Sequence, residues 1–273
     1  MTRAISIVAA AVCVLVPAGA LADVSETFEW AGGAAAEELV IEGVSGDIGV
    51  TVAGDEIALV ATKRGKDQAS LDRTVVVVEE EGKAVKVRVE YEKVSGEDED
   101  AGNRSGASVD FVVTVPAGLK RLELTTASGN ISAAGIPDVK AGVASGDLDV
   151  SGAFKKASAH TARGDVKVTN EGEATAAIDV EAVSGDVRVK AALPAAGAMY
   201  RVSTVSGNVE LALTGETGNY DVDVDLISGK CESGLPLERS GGIVGGSYSG
   251  RAGAGDNVID VSTVSGDVII ATP

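Results

Sequence analysis

The chain has 273 residues, of which 45% are hydrophobic and only 3% aromatic, and its formal net charge is −18 at pH 7. So acidic a surface excludes the phosphate contacts on which nucleic-acid binding depends, and no nucleic-acid partner is predicted. The 35 Gly residues, few Pro residues and abundant Val and Ala favour short strands joined by tight turns. A chain of this length can bury one continuous core.

Residues 1–22 have the pattern of a signal peptide. Arg3 supplies a positive charge, Ala4–Val16 form an apolar run too short to span a bilayer, and Ala20–Ala22 fit a small-residue cleavage site. A retained anchor is the alternative, but no longer apolar stretch follows. We therefore expect an exported protein, in the periplasm or at the cell surface, with no integral membrane segment in its mature chain.

Residues 23–119 predict a less regular N-terminal β cap, or the start of a solenoid. Phe28 and Trp30 are candidates to cover its exposed edge. Within this part, residues 92–108 are charged and rich in Gly and Ser, which predicts an acidic flexible loop. Strand-like runs occur at Glu56–Thr62, Arg73–Val78, Ala84–Tyr91 and Val109–Val115.

A repeated tripeptide, Ser-Gly-Asp or a close variant, organises the remaining residues, 120–273. Its first residues are Ser45, Ser128, Ser145, Arg163, Ser184, Ser206, Ser228 and Ser265. From Ser128 to Ser228 the copies are 17 to 22 residues apart, which is the spacing of a solenoid with one supersecondary unit per repeat.

Apolar positions recur at fixed distances from the first residue of each tripeptide: four residues before it, three after it and five after it. For the tripeptide that begins at Ser184, these positions are Val180, Val187 and Val189. Polar residues alternate with them, so each repeat predicts a strand, a corner and a second strand. Stacking such units in parallel buries a continuous core. The fold class predicted is all-β, a parallel β-helix of single-stranded solenoid type.

The middle residue of every corner is Gly, because a tight corner often needs the positive φ that Gly adopts without strain. The following Asp or Asn can hydrogen-bond local backbone and fix the turn. We predict structural turns at Gly46, Gly129, Gly146, Gly164, Gly185, Gly207, Gly229 and Gly266.

Arg163-Gly164-Asp165 has the sequence of a cell-attachment signal. It also falls in the corner column, and Val166 and Val168 follow at the apolar positions. We interpret it as a corner, since a tripeptide alone has low specificity, while an exposed corner leaves a contact role open.

Stacked corners would bring carboxylates to strand spacing, about 4.8 Å, where Ca²⁺ could bridge them. Asn130, Asn208 and Lys230 interrupt this column, which disfavours a metal site, and no cofactor is predicted. The carboxylates concerned are Asp47, Asp147, Asp165, Asp186 and Asp267.

Two residues that carry chemistry elsewhere are interpreted structurally. Cys13 lies in the signal peptide, so Cys231 has no disulfide partner, and its apolar column predicts a buried core thiol. His160, the only histidine, lies in an outward polar column with no Ser or Cys constellation evident in the sequence, so we expect a surface residue. No enzyme is predicted, although carboxylates assembled across rungs, as in some β-helix lyases and glycosidases, remain an alternative.

The Gly-rich residues 234–257 lack the Lys-Ser/Thr ending and flanking helix of a phosphate-binding loop. They predict an extended loop before a closing rung, Val258–Ile270.

Together, Val109–Pro116, Leu122–Ile131, the run of corners and Asp260–Ile270 resemble the DUF4097-type bacterial adhesin-like proteins, β-strand-repeat proteins related to the auto-transporter adhesin head domain family. The resemblance covers about residues 40–270 and implies a parallel β-solenoid in the cell envelope, with no catalytic residues.

Two functional hypotheses follow. In the first, the protein is a non-enzymatic adhesin-like binding module that contacts a surface polymer, a host molecule or another envelope protein. In the second, it is a periplasmic structural or envelope-stress signalling partner. Surface exposure discriminates between them.

Overall fold

A computed structural model describes residues 24–92, 106–172, 177–193, 197–215, 218–241 and 245–273, which form 23 strands and one short helix. The protein is all-β, as the composition predicts, and divides into two compact units, Met1–Gly129 and Asn130–Pro273. The predicted signal peptide and all but the ends of the predicted acidic loop lie outside the described residues. Within these ranges no helix is both long enough and apolar enough to cross a bilayer.

The strands of the first unit form two sheets, ordered β1-β4-β7-β3 and β8-β2-β6-β5. Its elements are β1 (Val24–Gly32), β2 (Glu38–Glu42), β3 (Ile48–Val52), β4 (Ile57–Gly65), α1 (Gln68–Asp72), β5 (Thr74–Glu81), β6 (Ala84–Tyr91), β7 (Ser108–Val115) and β8 (Arg121–Ser128). The four strand-like runs of the sequence appear here as β4 to β7.

Pairing in the first unit is mixed, which corrects the purely parallel arrangement expected from the repeats. β1–β4, β4–β7 and β5–β6 are antiparallel, whereas β3–β7, β2–β6 and β2–β8 are parallel. The two-residue connection Gly82-Lys83 explains the β5–β6 hairpin, because so short a link can join only antiparallel strands. Trp30 in β1 is buried and Phe28 is half-buried.

The sequence interpretation missed α1. Its N-cap is Asp67, whose carboxylate accepts the Ser70 amide proton at 2.8 Å, while the Ser70 side chain reaches back to the Asp67 backbone. This reciprocal capping stabilises a helix of only five residues.

The second unit consists of β9 (Ile131–Ala134), β10 (Asp138–Ser145), β11 (Leu148–Gly152), β12 (Lys156–Arg163), β13 (Val166–Asn170), β14 (Ala177–Ser184), β15 (Val187–Ala192), β16 (Met199–Ser206), β17 (Val209–Thr214), β18 (Tyr220–Ser228), β19 (Cys231–Ser233), β20 (Glu238–Ser240), β21 (Gly246–Ala252), β22 (Val258–Ser265) and β23 (Val268–Ala271). Two sheets result, ordered β9-β11-β13-β15-β17-β23-β19 and β10-β12-β14-β16-β22-β18-β21-β20.

Each rung of this unit contributes one strand to each sheet. Neighbouring rungs pair in parallel and in register, so that Ala159 lies opposite Val180 and Val166 opposite Val187. These apolar columns are fully buried. The buried Tyr200 of one sheet donates its hydroxyl to the Ala192 carbonyl of the other at 2.5 Å, which places the core between the sheets.

The predicted closing rung is present as β22 and β23, but it does not lie at the end of the stack. Val261 of β22 pairs with Val202 on one side and with Val224 on the other, so this last rung of the sequence is inserted before the preceding one. Asn257 stabilises the inserted rung. Its carboxamide accepts the Ala198 amide proton at 2.9 Å and donates to the Asn219 carbonyl at 2.7 Å.

The predicted extended loop, residues 234–257, contains two strands, which is a second correction. β21 pairs antiparallel with β18, and β20 pairs antiparallel with β21. Because β20 is exposed and no residue of β21 is fully buried, their sequences lack the apolar alternation that identifies strands with one buried face.

The corner glycines have φ values between 120° and 153°, at Gly46, Gly129, Gly146, Gly164, Gly185, Gly207, Gly229 and Gly266. A second constraint applies at Gly185, where a Cβ would overlap the carbonyl oxygen of Gly164 in the neighbouring rung. The same overlap would occur at Gly207 against Gly185, and at Gly266 against Gly207. Any side chain at these positions would separate the rungs.

We expect Gly185→Ala to lower the free energy of unfolding by on the order of 3 kcal/mol, since it combines an unfavourable φ with a backbone collision. Gly215→Ala, in the same unit, isolates the φ contribution, because φ is 89° there and a Cβ would make only an ordinary contact with the Leu193 carbonyl. Gly218→Ala, with open space and no positive φ, serves as a neutral control. Urea unfolding measures all three; equal losses for Gly185→Ala and Gly215→Ala would contradict the packing constraint.

Candidate functional site

The Asp or Asn that follows each corner glycine bonds to the next rung. Asp147 Oδ1 accepts the Asp165 amide proton at 2.8 Å, Asp165 Oδ1 accepts that of Asp186 at 2.9 Å, and Asp186 Oδ1 accepts that of Asn208 at 2.9 Å. The ladder continues from Asn208 to Asp267 and from Asp267 to Lys230. These side chains therefore join rungs, whereas the sequence suggested bonds within each turn.

This ladder accounts for the carboxylates proposed as a Ca²⁺ column. One oxygen each of Asp147, Asp165, Asp186 and Asp267 already accepts an amide proton. In the first unit, Asp47 donates its own amide proton to Asp110 at 3.0 Å. In the part of the chain that the structure describes, no group of three His, Cys, Asp or Glu side chains is arranged to hold a metal ion.

Arg163-Gly164-Asp165 lies at a corner between β12 and β13. Arg163 and Asp165 are exposed, but Asp165 is held on both sides, donating its amide proton to Asp147 and accepting that of Asp186. The tripeptide is therefore part of the ladder.

An exposed apolar row runs beside the corners of the second unit. It consists of the residue before the corner Ser on four consecutive strands, β14, β16, β22 and β18, and we call it the apolar stripe. Its members, with their exposed fractions, are Val183 (54%), Val205 (46%), Val264 (43%) and Ile227 (65%). Parallel pairing places these side chains one strand spacing apart, about 4.8 Å.

A shallow groove of about 480 Å³ follows the stripe. Val183, Val205 and Val264 line one side, and the outward residues His160 and Glu181 line the other. Buried residues two positions before the corners, such as Thr161 and Thr204, also contribute to its lining. The groove thus combines an apolar wall with a polar one.

At the polar wall, three side chains form a connected set. Ser158 Oγ lies 2.7 Å from His160 Nε2, and His160 Nδ1 lies 3.3 Å from Glu181 Oε2. Ser158 and His160 project from the same face of β12 because they are two residues apart, and Glu181 lies opposite His160 on β14.

The expectation of an isolated surface histidine was therefore wrong in one respect: His160 is partly exposed, but it has a serine and a carboxylate as partners. The signal was present in the sequence. Ser158 and His160 share an outward alternation, and aligning the repeats on their corners places Glu181 in the same column as His160.

Cys231 differs from its predicted environment. It begins β19, the last strand of its sheet, and is half-buried, whereas the aligned Val209 and Val268 are fully buried. Among the described strands none pairs with β19 on its other side, which explains the exposure. Burial nevertheless raises the pKa of the Cys231 thiol, which lowers its thiolate fraction at neutral pH.

Residues 33–271 match the family model described as Toastrack DUF4097. No curated protein matches the chain.

Several solved structures resemble the chain. A "putative cell adhesion protein" from Clostridium sporogenes has 10% identity and a TM-score of 0.35, covering 90% of this chain and 100% of its own. A "putative adhesin" from Bacteroides fragilis has 11% identity and a TM-score of 0.38, with coverages of 90% and 97%. A "putative lipid binding protein" from Parabacteroides distasonis has 12% identity and a TM-score of 0.34, with coverages of 90% and 96%.

The ladder predicts unequal effects of two substitutions at Asp186. Asp186→Ala removes the acceptor of the Asn208 amide proton and should lower the free energy of unfolding by about 1 kcal/mol. Asp186→Asn retains an acceptor, as Asn208 does naturally in this column, and should remain close to wild type. Urea unfolding with and without a chelator measures both; equal destabilisation, or a loss of stability caused by the chelator, would contradict the hydrogen-bond interpretation.

Proposed function

The chain belongs to the Toastrack DUF4097 family, and from this membership together with the apolar stripe we propose that it is an exported, adhesin-like binding module. Its role is to bind a partner, without catalytic turnover and without a cofactor. In this proposal the Ser-Gly-Asp corners are the repeated structural unit of a β-solenoid, with β1 and its buried Trp30 capping one sheet edge. The corners hold the binding surface in a fixed geometry.

The apolar stripe is the observation that carries the proposal. Single exposed apolar residues are ordinary on a protein surface, but a contiguous apolar row with a polar rim marks an interaction site. Here four aliphatic side chains follow one another on paired strands, with between 43% and 65% of each exposed. A partner lying across the rungs would cover all four.

The charge of the chain favours a partner other than a second copy. A net charge of −18 makes identical chains repel each other. Two corner carboxylates lie beside the stripe: the second oxygen of Asp186 accepts a hydrogen bond from Arg188 at 3.3 Å, whereas Asp267 can use its oxygen outside the ladder to accept hydrogen bonds from a neutral or basic partner. We therefore propose a surface polymer, a host molecule or another envelope protein as the ligand.

Export is supported by the residue pattern of 1–22 and by the family resemblance. Protease treatment of intact cells tests the final location, using a tagged chain beside a known periplasmic protein. We expect degradation of the chain while the periplasmic control survives. Protection until the outer barrier is opened would contradict a surface adhesin and would support the alternative of a periplasmic partner protein.

The stripe predicts a position-specific loss of binding. Val264→Asp introduces a charge into the apolar row and should weaken attachment about 10-fold or more, as the loss of a central interface residue does. Val258→Asp is the matched control, since Val258 lies on the same strand, β22, with 42% exposure and outside the stripe. Attachment of protein-coated beads to purified host-surface proteins and polysaccharides provides the measurement, with circular dichroism as the folding check. Equal losses in the two variants would contradict the assignment of the stripe.

A further inference from the structure

Ser158, His160 and Glu181 have the connectivity of a nucleophile, a base and an orienting acid. We propose that Ser158 is a nucleophilic serine that accepts an acyl group from an ester, with His160 as the general base and Glu181 as the residue that positions it. This reactivity goes beyond the binding role, because it does not depend on which partner contacts the stripe.

Two distances support the assignment of roles. The Ser158 Oγ to His160 Nε2 separation of 2.7 Å is within hydrogen-bond reach of a base that must remove the serine proton. The carboxylate of Glu181 lies 3.3 Å from the other ring nitrogen, Nδ1. An acceptor at Nδ1 favours the tautomer that carries its proton there, which leaves Nε2 free to accept the proton of Ser158.

The strands hold this arrangement without help from a loop. Ser158 and His160 lie on β12, and β14 pairs with it in parallel over seven register positions that include His160 and Glu181. Sites built on paired strands are positioned more precisely than sites built on loops. The reacting groups are thus preorganised by the sheet.

The proposed reaction is an acyl exchange that balances without a further reactant. Ser158 Oγ attacks the ester carbonyl carbon while His160 Nε2 takes the hydroxyl proton. The bond from the carbonyl carbon to the leaving oxygen then breaks, and the protonated His160 returns the proton to that oxygen. The products are an acylated Ser158 and a free alcohol.

The surroundings predict slow chemistry with a long-lived adduct. Lys140 and Asp179 lie at the register positions on either side of Ser158, one on β10 and one on β14, so these opposite charges select neither an anionic nor a cationic ester. Backbone amides in the middle of paired strands are committed to the sheet and cannot bind the oxyanion of a tetrahedral intermediate. Only a good leaving group should react readily, and the serine ester, with a poor leaving group, should persist.

The test uses p-nitrophenyl acetate and the full mature chain. We expect a burst of p-nitrophenolate approaching one equivalent per chain, and a mass increase of one acetyl group located on Ser158 by peptide mapping. Ser158→Ala should abolish the burst, and His160→Gln should slow it about 100-fold. Ser132→Ala, an exposed serine on β9 without a histidine neighbour, should behave as wild type.

The role of Glu181 is tested by a conservative pair. Glu181→Gln should slow acylation, and Glu181→Asp should restore part of the rate at unchanged burst amplitude, which a purely structural role would not predict. Circular dichroism confirms that each variant is folded. Acetylation at other sites only, or an unchanged rate in His160→Gln, would overturn the proposal and leave the binding role of the stripe unaffected.

Discussion

Contact between corner glycines is the constraint on which the second unit depends. Gly185 lies against the carbonyl group of Gly164, and Gly207 lies in the same way against Gly185. With no Cβ in between, successive corners approach closely enough for the Asp or Asn beside each glycine to accept the amide proton of the next rung. The two interactions reinforce each other, because the close approach sets the donor–acceptor distance and the hydrogen bond fixes the register.

A fixed register has consequences along the whole strand. Since side chains alternate between the two faces of a strand, a slip of one residue would move the buried valines outward. The corner ladder opposes such a slip at the corner end of the strands that form the rungs. It therefore maintains the buried columns, the apolar stripe and the alignment of His160 with Glu181.

Much of this organisation could be predicted from the sequence, because the repeated corner marks where each strand ends and period-two alternation marks which face is buried. The glycines and the apolar columns follow from these rules. The close packing of one corner against the next could not be predicted in this way. The sequence indicates that each glycine needs a positive φ, but it does not show that the carbonyl group of the neighbouring rung lies against it. The half-buried state of Cys231 depends on the position of its strand at the end of a sheet, which its column cannot reveal.

The order of the rungs could not be predicted from the sequence pattern either. All rungs present nearly the same apolar columns, so hydrophobic alternation gives no preference for placing β22 beside β16 or after β18. Specific polar contacts favour the observed order, notably the hydrogen bonds of the buried Asn257 with Ala198 and Asn219. The connected set at His160 was hidden for a different reason: its members lie on two strands, and only alignment of outward columns brings Glu181 to the histidine.

The insertion of β22 and β23 bears on the order in which the protein can assemble. During synthesis β18 emerges before β22, yet β22 is its parallel neighbour in the sheet, with β21 on its other side. Until β22 and β23 have been synthesised, β18 and β19 have no native partner on that side, and the facing edges of β16 and β17 also remain unpaired. Completion of this part of the core is therefore delayed until β22 and β23 have been synthesised, so strands that are far apart in order of synthesis must wait for one another before the sheets can close.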